Sequence, residues 1–350
     1  MHYLIRPLHG LAFLLALFLD SLRASASNAT TCPEACGSRI FQYGDPTYSI
    51  ENLAIRSNGA ILFTPPFPAA ALYQVSPTTG NSSFETVANN VQLGNASFAL
   101  GITELYPDVF AVITGTLNQT GTFKIHTVDF NVQTEGGSKG PQVKLTNEVP
   151  EARLLNGLAA VDQESGVLLA SESYLGEVLR IDTVNGKHSV VARGATYEAL
   201  PGATEAAASI GINGIRKLGG SLYFLNSSKK FFGKLGVDAK GYAVGVPEVV
   251  ANLTAVQALP DDVALAEDGK AFIAGSDKIV EVSSQGKVSV LIGGEGVATV
   301  AGDTSAQLGK GAKSSTLYVT SGIAPLNGVD QVPGFIESLD LDCVAACRTY

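Results

Sequence analysis

The chain has 350 residues, 45% hydrophobic, 7% aromatic and 16% charged, with 38 Gly, 15 Pro and no Trp. That composition excludes intrinsic disorder and a collagen-like or low-complexity chain. A net charge of −9 and a pI near 5.0 exclude non-specific binding to nucleic acid or an anionic membrane, and a small molecule is the expected partner.

Residues 1–26 read as a secretory signal peptide. Arg6 makes the start weakly basic, and Leu11–Leu19 is an apolar run of nine residues, too short to span a bilayer. Ala24-Ser25-Ala26 then offers small residues around a cleavage site. Asp20 and Arg23 close the run early, which argues against a membrane anchor. Residues 27–350 are expected to form one domain, secreted or held in the secretory-pathway lumen. Sequons at Asn28, Asn81, Asn95, Asn118, Asn226 and Asn252 suit that compartment, and glycosylation of some of them is expected. The four cysteines sit only at the ends, as Cys32, Cys36, Cys343 and Cys347. In an oxidising compartment they are expected as disulfides, with three possible pairings.

After the short strand Arg39–Tyr43, one pattern recurs along the chain. Short apolar strands alternate with turns such as Asn58-Gly59, Ser165-Gly166, Gly219-Gly220 and Asp268-Gly269, with almost no helical period. Units beginning near 51, 101, 156, 213, 262 and 297 repeat every ~50 residues, the period of a propeller blade. The expected fold is therefore all-β: a six-bladed β-propeller with four antiparallel strands per blade. A β-sandwich ranks below it, because a sandwich needs no repeated unit. The last unit supplies only three strands, ending near Leu341. Arg39–Tyr43 is expected to complete it as the outer strand, antiparallel to Gly334–Leu341. That geometry favours Cys36–Cys343 and Cys32–Cys347, which lock the ring, over the local pairs Cys32–Cys36 and Cys343–Cys347.

The innermost strand of each blade lines the central channel, and its first residues point into one mouth. Those residues are Glu51 (with Asn52), Asn156, Asn213 and Asp262 (with Asp261). Four oxygen-bearing side chains on one axis suit a hard divalent cation such as Ca²⁺, although each alone is also an ordinary turn residue. Thr103 and Glu104 are expected to complete the polar ring from the second blade. Phe67, in the PPFPAA loop, is an apolar wall of the mouth or part of a rigid turn. Tyr174, following Glu172 and Ser173, is a hydrogen-bond donor at the same mouth or a packing residue between blades three and four. There is no G-x-S-x-G elbow, and His126 and His188 read as surface or packing residues.

The blade starts E-N-L-A, N-G-L-A, N-G-I and D-D-V-A resemble the calcium-dependent gluconolactonase / senescence-marker-protein-30 group of six-bladed propellers. This resemblance implies Glu51, Asn156, Asn213 and Asp262 as ligands of a divalent metal. The chain departs from that group in lacking G-E-G-P at blade one and in carrying Glu172-Ser173 at the end of LLASES. The opening ENLAIRSNGAILFT…ALYQVSP resembles, more narrowly, a secreted fungal branch that accompanies secondary metabolism. That branch includes hetero-Diels–Alderases joining a tropolone quinone methide to the sesquiterpene humulene. The resemblance implies a cycloaddition that requires no cofactor. It needs two reactants held in a near-attack pose, donors that polarise the oxygenated diene, and an apolar lining. Glu51, Asn156, Asn213, Asp262 and Tyr174 are then the expected catalytic positions, with Phe67, Thr103, Glu104 and Ser173 touching substrate. Two other readings stand beside it. One is a metal-dependent lactonase in which Asp262 or Glu51 activates water. The other is a ligand-binding propeller without catalysis.

Overall fold

Glycine-bearing turns cut the apolar runs into strands too short to bury anything alone, so the strands pair locally into small sheets. At Asn58-Gly59, for example, Gly59 takes φ 87°, a value that favours glycine. The computed structural model describes residues 33–66, 69–77, 83–117, 119–132, 140–202, 209–294, 297–322, 324–326 and 330–348. The leader 1–26, Cys32, Phe67 and the sequons Asn28, Asn81 and Asn118 lie outside the described residues.

Strand β1 (Gly37–Gln42) comes first. Blade one is β2 (Asn52–Ile55), β3 (Ile61–Thr64), β4 (Leu72–Val75) and β5 (Phe84–Ala88). Blade two is β6 (Phe98–Tyr106), β7 (Val109–Gly115), β8 (Lys124–Asp129) and β9 (Gln142–Glu148). Blade three is β10 (Leu155–Ala160), β11 (Val167–Glu172), β12 (Glu177–Asp182) and β13 (His188–Arg193). Blade four is β14 (Ile212–Leu218), β15 (Ser221–Asn226), β16 (Phe231–Val237) and β17 (Ala243–Asn252). Blade five is β18 (Val263–Leu265), β19 (Ala271–Ala274), β20 (Lys278–Val282) and β21 (Val288–Gly293). Blade six begins with β22 (Asp303–Leu308) and β23 (Thr316–Ser321), passes through a hairpin of β24 (Ala324–Leu326) and β25 (Asp330–Val332), and continues in β26 (Phe335–Asp340). The fold is the six-bladed propeller expected, with four antiparallel strands in every blade. The innermost strands β2, β6, β10, β14, β18 and β22 touch in sequence, and β22 returns to β2.

Strand β1 closes the ring as the outermost strand of blade six, antiparallel to β26 from Gly37↔Leu339 to Gln42↔Phe335. Cys36 and Cys343 are disulfide-bonded across this seam, as expected. The second expected pair includes Cys32, outside the described residues. Cys347 lies near the bridge, its Sγ 3.8 Å from that of Cys36. A short helix, α1 (Leu341–Cys347), carries Cys343 and Cys347 one turn apart. Asp340 caps it, accepting from the backbone N–H of Asp342 and Cys343. This helix was not anticipated. The start of the last unit is also corrected: Ala298–Val300 is a 3₁₀ turn, and the innermost strand begins at Asp303.

Six buried apolar clusters are present among the described residues, one at each blade interface. The closing seam is the aromatic one. Phe41 and Tyr43, at and just after β1, meet Phe63 and Phe84 of blade one, with Phe41–Phe63 ring centroids 5.3 Å apart. In a chain with so few aromatic residues, concentrating them where the two ends meet adds non-covalent attachment beside the disulfide. The Lys229-Lys230-Phe231-Phe232 run is not an exposed edge, since both phenylalanines are buried in β16.

Candidate functional site

The hub is built by one repeated backbone device. In β6, β10 and β14 the pairing with the next strand slips, between Ala99 and Ile102, Leu155 and Leu158, and Ile212 and Ile215. Each bulge releases two residues, Leu100-Gly101, Asn156-Gly157 or Asn213-Gly214, from the ladder, which re-aims the first of them. The glycine then lets the next blade approach. A Cβ at Gly157 would lie 2.7 Å from Asn213 O, one at Gly101 would strike Asn156 O, and one at Gly214 would lie 2.5 Å from Asp262 Cα. Hydroxyls stitch the gaps: Ser171 Oγ accepts from Gly157 N at 2.7 Å and donates to Asn213 O at 2.6 Å. Thr64 Oγ1 donates to Leu100 O at 2.7 Å.

These contacts gather a buried polar network. Asn156 Nδ2 donates to Asn213 Oδ1 at 2.6 Å. Asn213 Nδ2 donates to Asp261 Oδ1 at 2.7 Å and to Ser227 Oγ at 2.9 Å. Asp262 Oδ2 accepts from Asn52 Nδ2 at 3.0 Å, Ser305 Oγ at 2.7 Å and Arg216 Nη2 at 2.5 Å, while its Oδ1 takes Val263 N at 2.8 Å. Asp262 thereby ties blades four, five, six and one together across the axis. Blade two offers Leu100 at the corresponding bulge, so the ring is polar on one side and apolar on the other.

Glu51 and Asp261 stand at the mouth where the innermost strands begin. Burial, and then the Asp262 carboxylate, pushes Glu51 up to about 7. Burial together with Glu51 and Asp262 raises Asp261 well above the usual carboxylate range, against a lowering from its bond with Asn213. Glu172 and Ser173 close the end of β11 at this mouth. Glu172 is buried and accepts from Arg153 N, Leu154 N and Leu175 N at 2.7, 2.5 and 2.5 Å, so its carboxylate clasps a loop. Ser173 is fully buried, and its Oγ has no hydrogen-bond partner among the described residues. Tyr174 packs on the cluster between blades two and three, under the Arg153 guanidinium.

The four residues that the sequence nominates as metal ligands come to one hub and fit a divalent cation in part: the buried Glu51 carboxylate, raised beside its acidic neighbours, is an oxygen donor of the kind such an ion takes, whereas two other oxygens are already bonded. Asp262 Oδ2 is covered by an amide, a hydroxyl and a guanidinium, and Asn213 Oδ1 by an amide. A cation at either of those two oxygens would face N–H and O–H hydrogens.

A cavity of about 340 Å³ opens on the other side of this network. Its lining residues follow the ring residues along the innermost strands. Leu53, Ala54, Ile55, Ile102, Phe110, Ala159 and Val161 form an apolar wall, with Thr103, Glu104, Arg216, Lys217, Gln307 and Lys310 as polar groups. Arg216 is fixed at its edge by Nη2 on Asp262 and Nη1 on Ile215 O at 2.9 Å. Glu104 accepts from Lys310 Nζ at 2.5 Å and Gln163 Nε2 at 3.2 Å. Thr103 and Glu104 therefore do not complete the ring at the Glu51 mouth; they line the opposite one. The reason is positional, since β6 begins at Phe98 and has passed the hub by residue 103. Arg216, Lys217, Gln307 and Lys310 went unnoticed in the sequence. The available signal was N-G-I-R-K in blade four, where blade three has N-G-L-A-A.

Among the described sequons, Asn95 and Asn252 are exposed. Asn226 is fully buried, and its Nδ2 donates to Thr196 O and Glu198 O, so the folded chain does not present it to a glycan. His126 is a buried packing residue bonded to Thr114, and His188 bonds Glu151 on the outer strand β13.

Fold and hub together define a six-bladed propeller with a polar plug beneath a half-apolar cavity, and proteins of this shape are known. No family model matches the chain. It is 26% identical over 360 residues to "Putative hetero-Diels-Alderase asR5" of Sarocladium schorii, spanning 91% of this chain and 87% of that protein. It is 24% identical over 347 residues to a "Putative hetero-Diels-Alderase" of a Phoma species, spanning 90% and 95%. Among solved structures it is similar to a luciferin-regenerating enzyme, with TM-score 0.59, 16% identity, and 87% and 94% of the two chains covered. It is also similar to the calcium-binding protein regucalcin of Agrobacterium tumefaciens, with TM-score 0.55, 16% identity, and 86% and 95% covered. A gluconolactonase of Xanthomonas campestris gives TM-score 0.56, 11% identity, and 87% and 88% covered. The likenesses to solved structures show the fold.

Proposed function

We propose that the protein is a hetero-Diels–Alderase of fungal secondary metabolism, joining a polyketide-derived tropolone quinone methide to a terpene such as humulene. The observation that carries this reading is the guanidinium of Arg216, fixed beside the cavity opposite an apolar wall. The names of the two relatives support the reaction class. A cycloaddition moves no group and needs no cofactor. It needs the two partners held together and a donor on the oxygen of the heterodiene, where electron density builds as the new C–O bond forms. Arg216 has five N–H donors, of which two bonds to protein consume part. The wall of Leu53, Ile102, Phe110 and Val161 receives the hydrocarbon partner. Metal-assisted lactone hydrolysis fits less well at Asp262, whose Oδ2 already accepts from Asn52, Ser305 and Arg216. The signal-like leader and the Cys36–Cys343 bridge support work in the secretory pathway.

The test is incubation of the purified protein with a tropolone-methide precursor and humulene, with product followed by chromatography. Adduct should form above background, and Arg216→Gln should lower kcat by ~10²–10³-fold with the propeller's circular dichroism intact. No adduct above background, or wild-type turnover by Arg216→Gln, would overturn the reading.

A further inference from the structure

We infer that Gln307 selects the oxygenated ring of the substrate, as a second polar contact beside Arg216 that reads the hydroxyl next to the reacting carbonyl. The inference rests on the proposed cycloaddition for the identity of that ring. The cavity wall has two characters. Blades one to three give it the apolar side chains, Leu53 and Ile102 among them, whereas blades four and six give only polar ones, Arg216 and Lys217 from the first and Gln307 and Lys310 from the second. Gln307 lies in β22 two residues after Ser305, and strand alternation turns both side chains to one face. Ala306, between them, is fully buried in the apolar cluster on the other face. Ser305 Oγ reaches Asp262 Oδ2 at 2.7 Å, the same oxygen that Arg216 Nη2 holds at 2.5 Å from blade four. The shared carboxylate therefore ties together the two strands from which Arg216 and Gln307 enter the cavity. The other polar groups of the lining are engaged: Glu104 with Lys310 and Gln163, Lys217 with Gly219 O at 2.8 Å, and Asp162 with the N–H groups of Glu164 and Ser165. The half-buried Gln307 amide makes no hydrogen bond to another described residue, so its capacity is directed at what fills the cavity. A ligand that displaces solvent from such an amide binds well only if it replaces the lost hydrogen bond. A guanidinium only donates, which suits a carbonyl oxygen, whereas an amide both donates and accepts. Gln307 accordingly takes a hydroxyl as acceptor, and takes the same oxygen as donor once that hydroxyl has ionised. A tropolone ring carries a carbonyl and a hydroxyl on neighbouring carbons, the pattern that this guanidinium and amide match.

The test reads binding of the ring alone and needs no turnover. Affinities for tropolone and for its O-methyl ether, which cannot donate, are measured by calorimetry on wild type, Gln307→Leu and Gln307→Met. Wild type should prefer tropolone by about tenfold, the worth of one hydrogen bond. Gln307→Leu should abolish that preference, weakening tropolone about tenfold and leaving the ether within roughly twofold, with the circular dichroism of the propeller intact. With the tropolone-methide precursor and humulene, the same variant should raise KM for the ring partner more than it lowers kcat. Absence of tropolone binding to wild type, equal affinity for tropolone and ether, or a preference that survives in both variants would overturn the inference. So would parallel weakening of both ligands, the mark of a merely structural side chain. If neither variant folds, the amide is structural and the inference falls. Adduct formation by a protein whose Gln307 is unselective refutes this inference alone, whereas a selective Gln307 without adduct refutes the cycloaddition alone.

Discussion

Replacing Gly157 by alanine perturbs the hub at a single atom. The new Cβ would sit 2.7 Å from Asn213 O and 2.9 Å from Ile215 N, where ordinary contact begins at 3.4 Å. The overlap of about 0.7 Å falls on backbone of the next blade, which has no rotamer to change. Asn213 O is also held by Ser171 Oγ at 2.6 Å, so it cannot move without stretching that bond. Overpacking of this kind costs about 1–3 kcal/mol, and rigid neighbours put it at the upper end. Alanine returns ~0.4–1 kcal/mol by restricting the unfolded chain. The net loss should be about 2 kcal/mol, or roughly 3 °C in Tm for a propeller of this length. Gly44→Ala is the control, because nothing lies within 4 Å of its Cβ and its φ is not left-handed. The assay is urea denaturation followed by far-ultraviolet circular dichroism, comparing both variants with wild type. If Gly157→Ala matches or exceeds Gly44→Ala in stability, the close-approach account of the hub is wrong.

Three further outcomes follow from buried groups and the seam. Burial, helped by Lys124, lowers His126 from 6.5 to about 4, so the folded state holds it neutral. Stability from this group is complete above pH ~6.5 and falls as pH drops toward 4, by about 3 kcal/mol. His126→Gln should flatten that part of the pH–stability curve, and parallel curves for the two proteins would exclude the effect. Asp303 has the opposite sign: burial raises it well above 3.8, although backbone N–H groups, Gly275 N on Oδ2 at 2.6 Å first among them, pull the other way. The folded state therefore loses stability as pH rises above 3.8, so Asp303→Asn should raise Tm at pH 7 and leave it unchanged near pH 3. An equal gain at both pH values would show that charge is not the cause. Reduction of the disulfides should lower stability markedly. The Cys36–Cys343 separation of 307 residues corresponds to about 5–6 kcal/mol of loop entropy. An unchanged urea midpoint after reduction verified by mass spectrometry would mean that the aromatic seam closes the ring unaided.

Several features of the molecule were legible in residue order because they repeat. Strand and turn chemistry recur with the blade period, so blade number and strand order follow without coordinates. A leftover strand at the start and a missing one at the end imply the closure of β1 on β26. Asn156, Asn213 and Asp262 stood out for the same reason, as polar residues at equal places in different units. The start of blade six did not stand out, because V-A-T-V-A has the apolar content of a strand yet turns as a 3₁₀ segment. Helix α1 was hidden by its length, since a single capped turn or two leaves no period to read. Sequon Asn226 also looks like the others until its amide is seen holding Thr196 and Glu198 carbonyls.

Repetition along the chain thus determined the wheel and the residues that approach its axis. Which mouth a residue faces, and which charge meets which, was decided only by tertiary structure. Thr103 lies beyond the hub because β6 starts three residues earlier than a count from residue 101 suggests. Arg216 meets Asp262 because Gly214 lets two blades touch, and no spacing within either blade encodes that contact. Periodicity is a property of each strand with its neighbours in sequence, whereas the bonds of Ser305 to Asp262 and Asn52 at the hub join residues 43 and 253 positions apart.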